Sequence, residues 1–190
     1  CTLIRDGVVL TALPSAPTQF GIEAGMMLAL HEAGKLVGAR ILGRYELGTP
    51  TPDWVSTHFA TFLADLTSAS MDPCCVMYIS GGQDSINAAA IRDLKEGLEK
   101  LSNLVEANLP GAGFVCKGVV AVDEEDFPLL AENRLATSRI MRDTLRGKRR
   151  HIAHDSFAIT LQPDDTHPDD IGTLNMGYLD YGPVAVELAI

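Results

Sequence analysis

The spacing of apolar residues changes character along the chain, and each change predicts an element. Near the start Thr2 to Ile4, a turn at Asp6-Gly7 and the alternating run Val8 to Leu13 predict strand, turn and strand. Pro14 to Gly21 is rich in Pro, Ser and Gly and predicts a loop. The apolar runs Met26 to His31 and Leu36 to Leu42 read as two more strands, joined by the hairpin-length Ala33-Gly34-Lys35. Gly48 to Asp53 carries two prolines and stops the sheet. From Asp53, a plausible cap, Val55, Phe59, Phe62, Leu63 and Leu66 recur at helical spacing until Asp72-Pro73. Cys74 to Ile79 is a continuous apolar run, as expected of a strand covered on both faces.

The middle of the chain has the clearest helical period. Ile86, Ala90, Leu94, Leu98, Leu101 and Val105 form one stripe, predicting a helix that starts near Asp84 or Ser85 and stops at Pro110-Gly111. Phe114 to Val122 follows as a strand. A third helix is predicted from Asp126 and Pro128 to about Leu145, with Gly147 as its stop. Phe157, Ile159 and Leu161 alternate as a strand. Thr173 to Leu179 and Val184 to Ile190 read as a closing pair joined at Asp180 to Pro183. Counted from the strand at Val8, the predicted order is β-β-β-α-β-α-β-α-β-β-β. This describes an α/β (or α+β) fold: a mixed, partly parallel sheet with about three helices packed on it and antiparallel meanders at both ends. No repeat or linker divides residues 1–190, so a single globular domain is expected.

Composition narrows the function classes. The chain has 190 residues, 46% hydrophobic and 21% charged, with a net charge of −10. That is the composition of a packed domain. An acidic surface repels phosphate backbones, so nucleic acid is not an expected partner. No apolar run approaches the roughly 20 residues that span a bilayer. Cys1, Cys74, Cys75 and Cys116 show no CxxC spacing, and neighbouring strand residues point to opposite faces. They read as free thiols in a reducing compartment, with a cytoplasmic location as the default. Cys1 leaves three openings: a terminus after a removed Met, a lipidated cysteine, or a nucleophile freed by cleavage. The opening strand–turn–strand is similar to that of N-terminal-nucleophile hydrolases, although the βα alternation that follows does not suit their fold.

The most specific local signal for chemistry is Ser80-Gly81-Gly82-Gln83-Asp84-Ser85, between an apolar strand and a capped helix. Glycines let a backbone approach a ligand, and a helix N-terminus offers free N–H groups. The ligand-binding candidates are therefore Ser80, Gly81, Gly82, Asp84 and Ser85, for an anionic small molecule bearing phosphate or carboxylate. Arg40 or Arg44 would add charge. The six residues resemble the SGGxDS pyrophosphate loop of the ATP-pyrophosphatase family. That resemblance implies a grip on the phosphates of ATP during adenylation. Here about half the fold precedes the loop, whereas in that family it ends an early strand. The plainer alternative is a tight turn in which Asp84 or Ser85 caps the next helix.

Three weaker signals remain. His151, His154 and His167, with Asp155, Asp169 and Asp170, are metal-ligand types, and His-x-x-His at a turn would put two imidazoles on one side. No specific metal spacing supports them, and acids in a Pro-containing stretch are usually solvated. Arg139, Arg142, Arg146, Lys148, Arg149 and Arg150 form a basic run, read either as complement to a helix dipole or as a docking patch for an acidic partner or phosphates. Cys116 beside Lys117, or Cys74 and Cys75, would need His31, His58, His151 or His154 nearby to act as nucleophiles. The competing functions are an anion-binding enzyme or domain, a non-enzymatic interaction or assembly subunit (a homo-oligomer or a bound protein partner), and a Cys/His or metal-dependent hydrolase. The cofactor is unknown from the sequence.

Overall fold

The computed structural model describes residues 2–5, 8–10, 21–44, 48–79, 82–117, 128–146, 148, 151–154 and 169–188. In chain order the elements are β1 (Thr2–Arg5), β2 (Val8–Leu10), α1 (Gly21–Glu32), β3 (Arg40–Gly43), α2 (Thr51–Thr57), α3 (Phe59–Ser68) and β4 (Cys75–Ile79). A short 3-10 turn (Gly82–Ser85) follows, then α4 (Ala88–Asn108), β5 (Gly113–Lys117), α5 (Pro128–Leu145), β6 (His151–His154) and α6 (Asp170–Asn175). A π-helical turn (Met176–Tyr181) and α7 (Gly182–Leu188) complete the described chain. The fold is mixed α/β. Among the described residues it has more helix and fewer strands than the apolar pattern predicts. No helix among them is long and apolar enough to cross a membrane.

Two compact units share the chain. One comprises Cys1–Tyr45, Asp65–Ser70 and Ala158–Ile190; the other comprises Glu46–Ala64 and Met71–Phe157. The second holds a three-stranded sheet in the order β4-β5-β6, parallel throughout. Parallel neighbours need crossover connections, and α4 and α5 supply them. On α4 the stripe Leu94, Leu98, Leu101 and Val105 is at most 1% exposed, and it packs with Val55, Phe59, Tyr78, Phe114, Cys116, Met141 and Leu145 into one core. β5 is the central strand: Phe114 and Cys116 face that core, Val115 and Lys117 take the other face, and all four are buried. Among the described residues β4 is an edge strand and only half buried, so double coverage belongs to β5 and not to the Cys74–Ile79 run.

The first unit departs from the expected antiparallel meanders. β1 and β2 pair antiparallel, but β3 lies on the other side of β1 and runs parallel to it. Met26 to His31, expected as a strand, lies inside α1, and of the expected Leu36–Leu42 strand only residues 40–42 fall in β3. Thr173 to Leu179 and Val184 to Leu188 are helical as well, and the last two residues of the expected Val184–Ile190 strand lie outside the described residues. The cause is a close helix pair. A Cβ at Gly25 would overlap the backbone of Leu174 and Tyr178, one at Gly177 would overlap Ile22, and one at Gly182 would overlap Ala29. On α1 the small residues Gly21, Gly25 and Ala29 recur every fourth position, which keeps them on one α-helical face. Gly177 and Gly182 are five apart, and the π turn brings them into register: the Gly182 N–H donates to the Gly177 carbonyl. Backbone contact along this seam outweighs the strand propensity of Val184 and Val186. The strand expected at Phe157 to Leu161 lies outside the described residues, as does the chain beyond Lys117 in the strand expected to reach Val122.

Helix starts also moved. α2 begins at Thr51 after Pro50, with a proline inside its first turn, so Asp53 is a first-turn acid and not the cap. The expected single helix from Asp53 breaks at His58 into α2 and α3. α4 begins at Ala88, where the Asn87 side chain accepts from the Ala89 and Ala90 N–H groups. Ile86 therefore precedes the helix and is 55% exposed instead of leading its core stripe.

Candidate functional site

The expected anion loop begins directly after Ile79, at the carboxyl end of β4, a position where open parallel sheets gather ligands. Ser80 and Gly81 lie outside the described residues. Gly82, Asp84 and Ser85 belong to the 3-10 turn, and Asp84 and Ser85 are wholly buried. Gln83 is the exposed side chain of the turn.

Asp84 caps a helix, but it is α2 and not α4. Its Oδ1 accepts from the Thr51 N–H at 2.8 Å, and its Oδ2 accepts from the Thr51 hydroxyl at 2.7 Å. A hydroxyl has one proton. Because that proton goes to Asp84, the Thr51 oxygen is left to accept from the Tyr78 hydroxyl, 2.9 Å away. The result is a directed chain, Tyr78 to Thr51 to Asp84, that fastens the turn to the first residue of α2 and to the penultimate residue of β4. Gly97 on α4 makes room for it: a Cβ there would stand 3.0 Å from the Pro52 nitrogen and 3.1 Å from the Thr51 methyl. Thr51 and Tyr78 were not among the sequence candidates. A tyrosine inside a continuous apolar run was the available signal, because a buried phenol usually finds a hydrogen-bond partner.

Protonation within this end of the sheet is held on the neutral side. Burial pushes the Tyr78 phenol well above its usual range, and the nearby Asp84 and Cys116 add to the effect. Burial, reinforced by Asp84, likewise raises the Cys116 thiol far above a reactive value. Cys75 is pushed up to about 12 by burial and by its neighbour Cys74. A nucleophilic cysteine needs a depressed value, so Cys75 and Cys116 have the chemistry of inert core thiols. Cys74 is exposed.

The supporting cations take other roles. Arg40 donates to the carbonyls of Ala69 and Ser70, closing the C-terminal end of α3. Arg44 pairs with Asp65 at 2.9 Å. Both of these bonds stay within one unit. Residues 151–154 are strand and not turn, so positions 151 and 154, three apart, fall on opposite faces of the sheet. His167 and Asp155 lie outside the described residues, and Asp169 caps α6 by accepting from the Gly172 N–H. Among the described residues no group of three or more His, Cys, Asp or Glu is placed to hold a metal ion. His31 is exposed on the last turn of α1, and His58 sits 6.5 Å from the Trp54 ring.

The basic run is partly helical. Leu135, Arg139 and Arg142 on α5, and Arg146 just past its end, follow one another at spacings of four, three and four, and all four are exposed. Arg146 pairs with Asp143 at 2.9 Å, and Lys148 donates to Asn103. Arg149 and Arg150 lie outside the described residues. No protein-family model matches the chain, and no curated protein sequence matches it.

Proposed function

We propose that the unit built on β4, β5 and β6 binds an anionic small molecule, bearing phosphate or carboxylate, over the turn that follows β4. The observation that carries this reading is the buried Tyr78–Thr51–Asp84 chain. It fixes Asp84, and with it the described turn Gly82–Ser85, against Thr51 and Tyr78. Preorganised backbone N–H groups beside a parallel strand end are the usual material of anion sites. The division of labour differs from the simplest expectation. Asp84 and Ser85, being fully buried, are positioning residues; contact with the ligand falls to the backbone of Ser80 to Gln83 and the Gln83 side chain. The first-turn N–H groups of Ala89 and Ala90 are already occupied by Asn87 and take no part.

The test is thermal unfolding in the presence of inorganic phosphate, nucleotides, sugar phosphates and dicarboxylates, with and without magnesium. A ligand at about 100 times its Kd adds about 2.7 kcal/mol, which raises the midpoint by roughly 5–10 °C for a chain of this size. The expected result is such a shift for at least one anion, lost in a folded Gly82→Val variant. A flat response to every compound, or a shift unchanged by Gly82→Val, refutes the reading.

A further inference from the structure

Two exposed faces of this chain complement each other in charge and apolar character. The first runs along the carboxyl-terminal helices. The buried side of residues 172–182 is given over to the glycine seam, and the opposite side leaves Ile171 at 61%, Leu174 at 37% and Leu179 at 60% exposure, with Tyr178 and Pro183 on the same side. Three exposed large apolar side chains on one short helical face are more than scattered surface residues. The surroundings are acidic. From His151 to Ile190 the sequence has no Lys or Arg, while Asp169, Asp170, Asp180 and Glu187 lie on these helices or at their start. Glu32 of α1 accepts from the Tyr178 hydroxyl at the edge of the same face. At its far end Lys35 donates to the Val186 carbonyl.

The second face is the outer side of α5. Leu135 is 53% exposed and leads into Arg139, Arg142 and Arg146, with Leu129, 70% exposed, at its edge. Six of the fifteen basic residues of the chain fall within residues 139–150. A helix dipole is complemented by cations in its last turn alone, and Arg139 lies too far from the end at Leu145 to serve it. An acidic apolar face and a basic apolar face, both exposed among the described residues, fit the two halves of one interface.

We propose that a second copy of this chain docks the Leu135-Arg139-Arg142-Arg146 face of its α5 onto the Ile171-Leu174-Leu179 face, giving a head-to-tail assembly. The leucines bury against the apolar stripe, and the arginines meet the acids around it. The contact is heterologous: the two surfaces are different, so each copy keeps one face open for the next, and growth ends in a ring or continues as a filament. Charge sets the register and the encounter rate, and the apolar stripe sets the residence time. The inference is independent of the anion site.

The test is sedimentation velocity at protein concentrations up to about 100 μM, a range that detects micromolar association. The wild-type chain associates at about 50 mM salt and weakens about tenfold or more at about 0.5 M, where the Debye length has fallen to a few ångströms. Arg139→Glu/Arg142→Glu and Ile171→Ser/Leu179→Ser each sediment as monomers; all four residues are exposed, and a circular dichroism spectrum checks that both variants are folded. Mixed in equal amounts, the two variants form a dimer and nothing larger, because each contributes one intact face. A wild-type chain that is monomeric throughout overturns the proposal. So does association that survives both variants, or a mixture that forms no dimer.

Discussion

The single proton of the Thr51 hydroxyl makes this residue the hinge of the buried polar chain. Replacing Thr51 by Val keeps the shape but removes both the donor to Asp84 and the acceptor for Tyr78. A buried phenol is then left without a partner and a buried carboxylate with one donor fewer, so a loss of about 2–3 kcal/mol is expected. Thr51→Ser keeps the hydroxyl and should cost within about 1 kcal/mol, and Tyr78→Phe, which removes a donor from an oxygen still engaged with Asp84, about 1 kcal/mol. Urea unfolding of the three variants checks the order; a Tyr78→Phe loss exceeding that of Thr51→Val would mean the chain does not run through Thr51. The same burial makes a pH prediction. Cys75, Cys116 and Tyr78 all have folded values raised above their unfolded ones. Their stabilising contribution is therefore complete below about pH 9 and is lost above it, as the unfolded chain gives up protons that the folded chain keeps. Each such group steepens the loss by about 1.4 kcal/mol per pH unit. Urea midpoints between about pH 8 and 11, under reducing agent, should fall with rising pH, and Cys116→Ala should flatten the slope by about one proton.

At the level of elements, the glycine seam is the feature most exposed to mutation. A methyl group at Gly177 meets the backbone of Ile22, which cannot swing aside as a side chain would, so Gly177→Ala should cost about 3 kcal/mol or more. Gly111, in the exposed turn before β5, has nothing within 4 Å of an added Cβ and no positive φ. Gly111→Ala should be neutral or stabilise by up to about 1 kcal/mol through the unfolded chain. Thermal unfolding of the pair checks the contrast, and equal effects would refute the seam. The seam also explains which elements were legible in the sequence. α4, β5 and α5 were readable because Leu94, Leu98, Leu101 and Val105, or Phe114 and Cys116, have side chains that carry the period of the element. In α1 the run Met26 to Leu30 is apolar all round and too short for periodicity to separate helix from strand. In the carboxyl-terminal helices the packing residues are glycines, which carry no hydrophobic signal, and a spacing of five fits neither the helical nor the strand template. The four-residue spacing of Gly21, Gly25 and Ala29 was the one available cue. The turn Gly82–Ser85 follows β4 in the chain, but the inward turn of Asp84 depended on Thr51, thirty-three residues away, and no local pattern reports such a partner.

Across the whole molecule, two compact units draw on interleaved stretches of chain, and each has its own buried residues: Ala29, Leu30, Met176 and Tyr181 in one, the α4 and β5 core in the other. A unit with its own core is able to unfold on its own. The chain supplies a clean reporter, because its only tryptophan, Trp54, lies in the second unit and is packed against His58, Phe59, Phe62 and Tyr78 with ring centroids 5.5–6.5 Å apart. Circular dichroism at 222 nm, by contrast, follows α1, α6 and α7 together with α2 to α5. If the two cores are independent in energy, Gly177→Ala lowers an early part of the dichroism transition and leaves the Trp54 fluorescence midpoint within about 2 °C of the wild type, less than a loss of about 1 kcal/mol would move it. Thr51→Val does the reverse, shifting the fluorescence midpoint most. If instead both probes move together in both variants, the two units melt as one cooperative body, and the chain behaves as the single domain its length predicts.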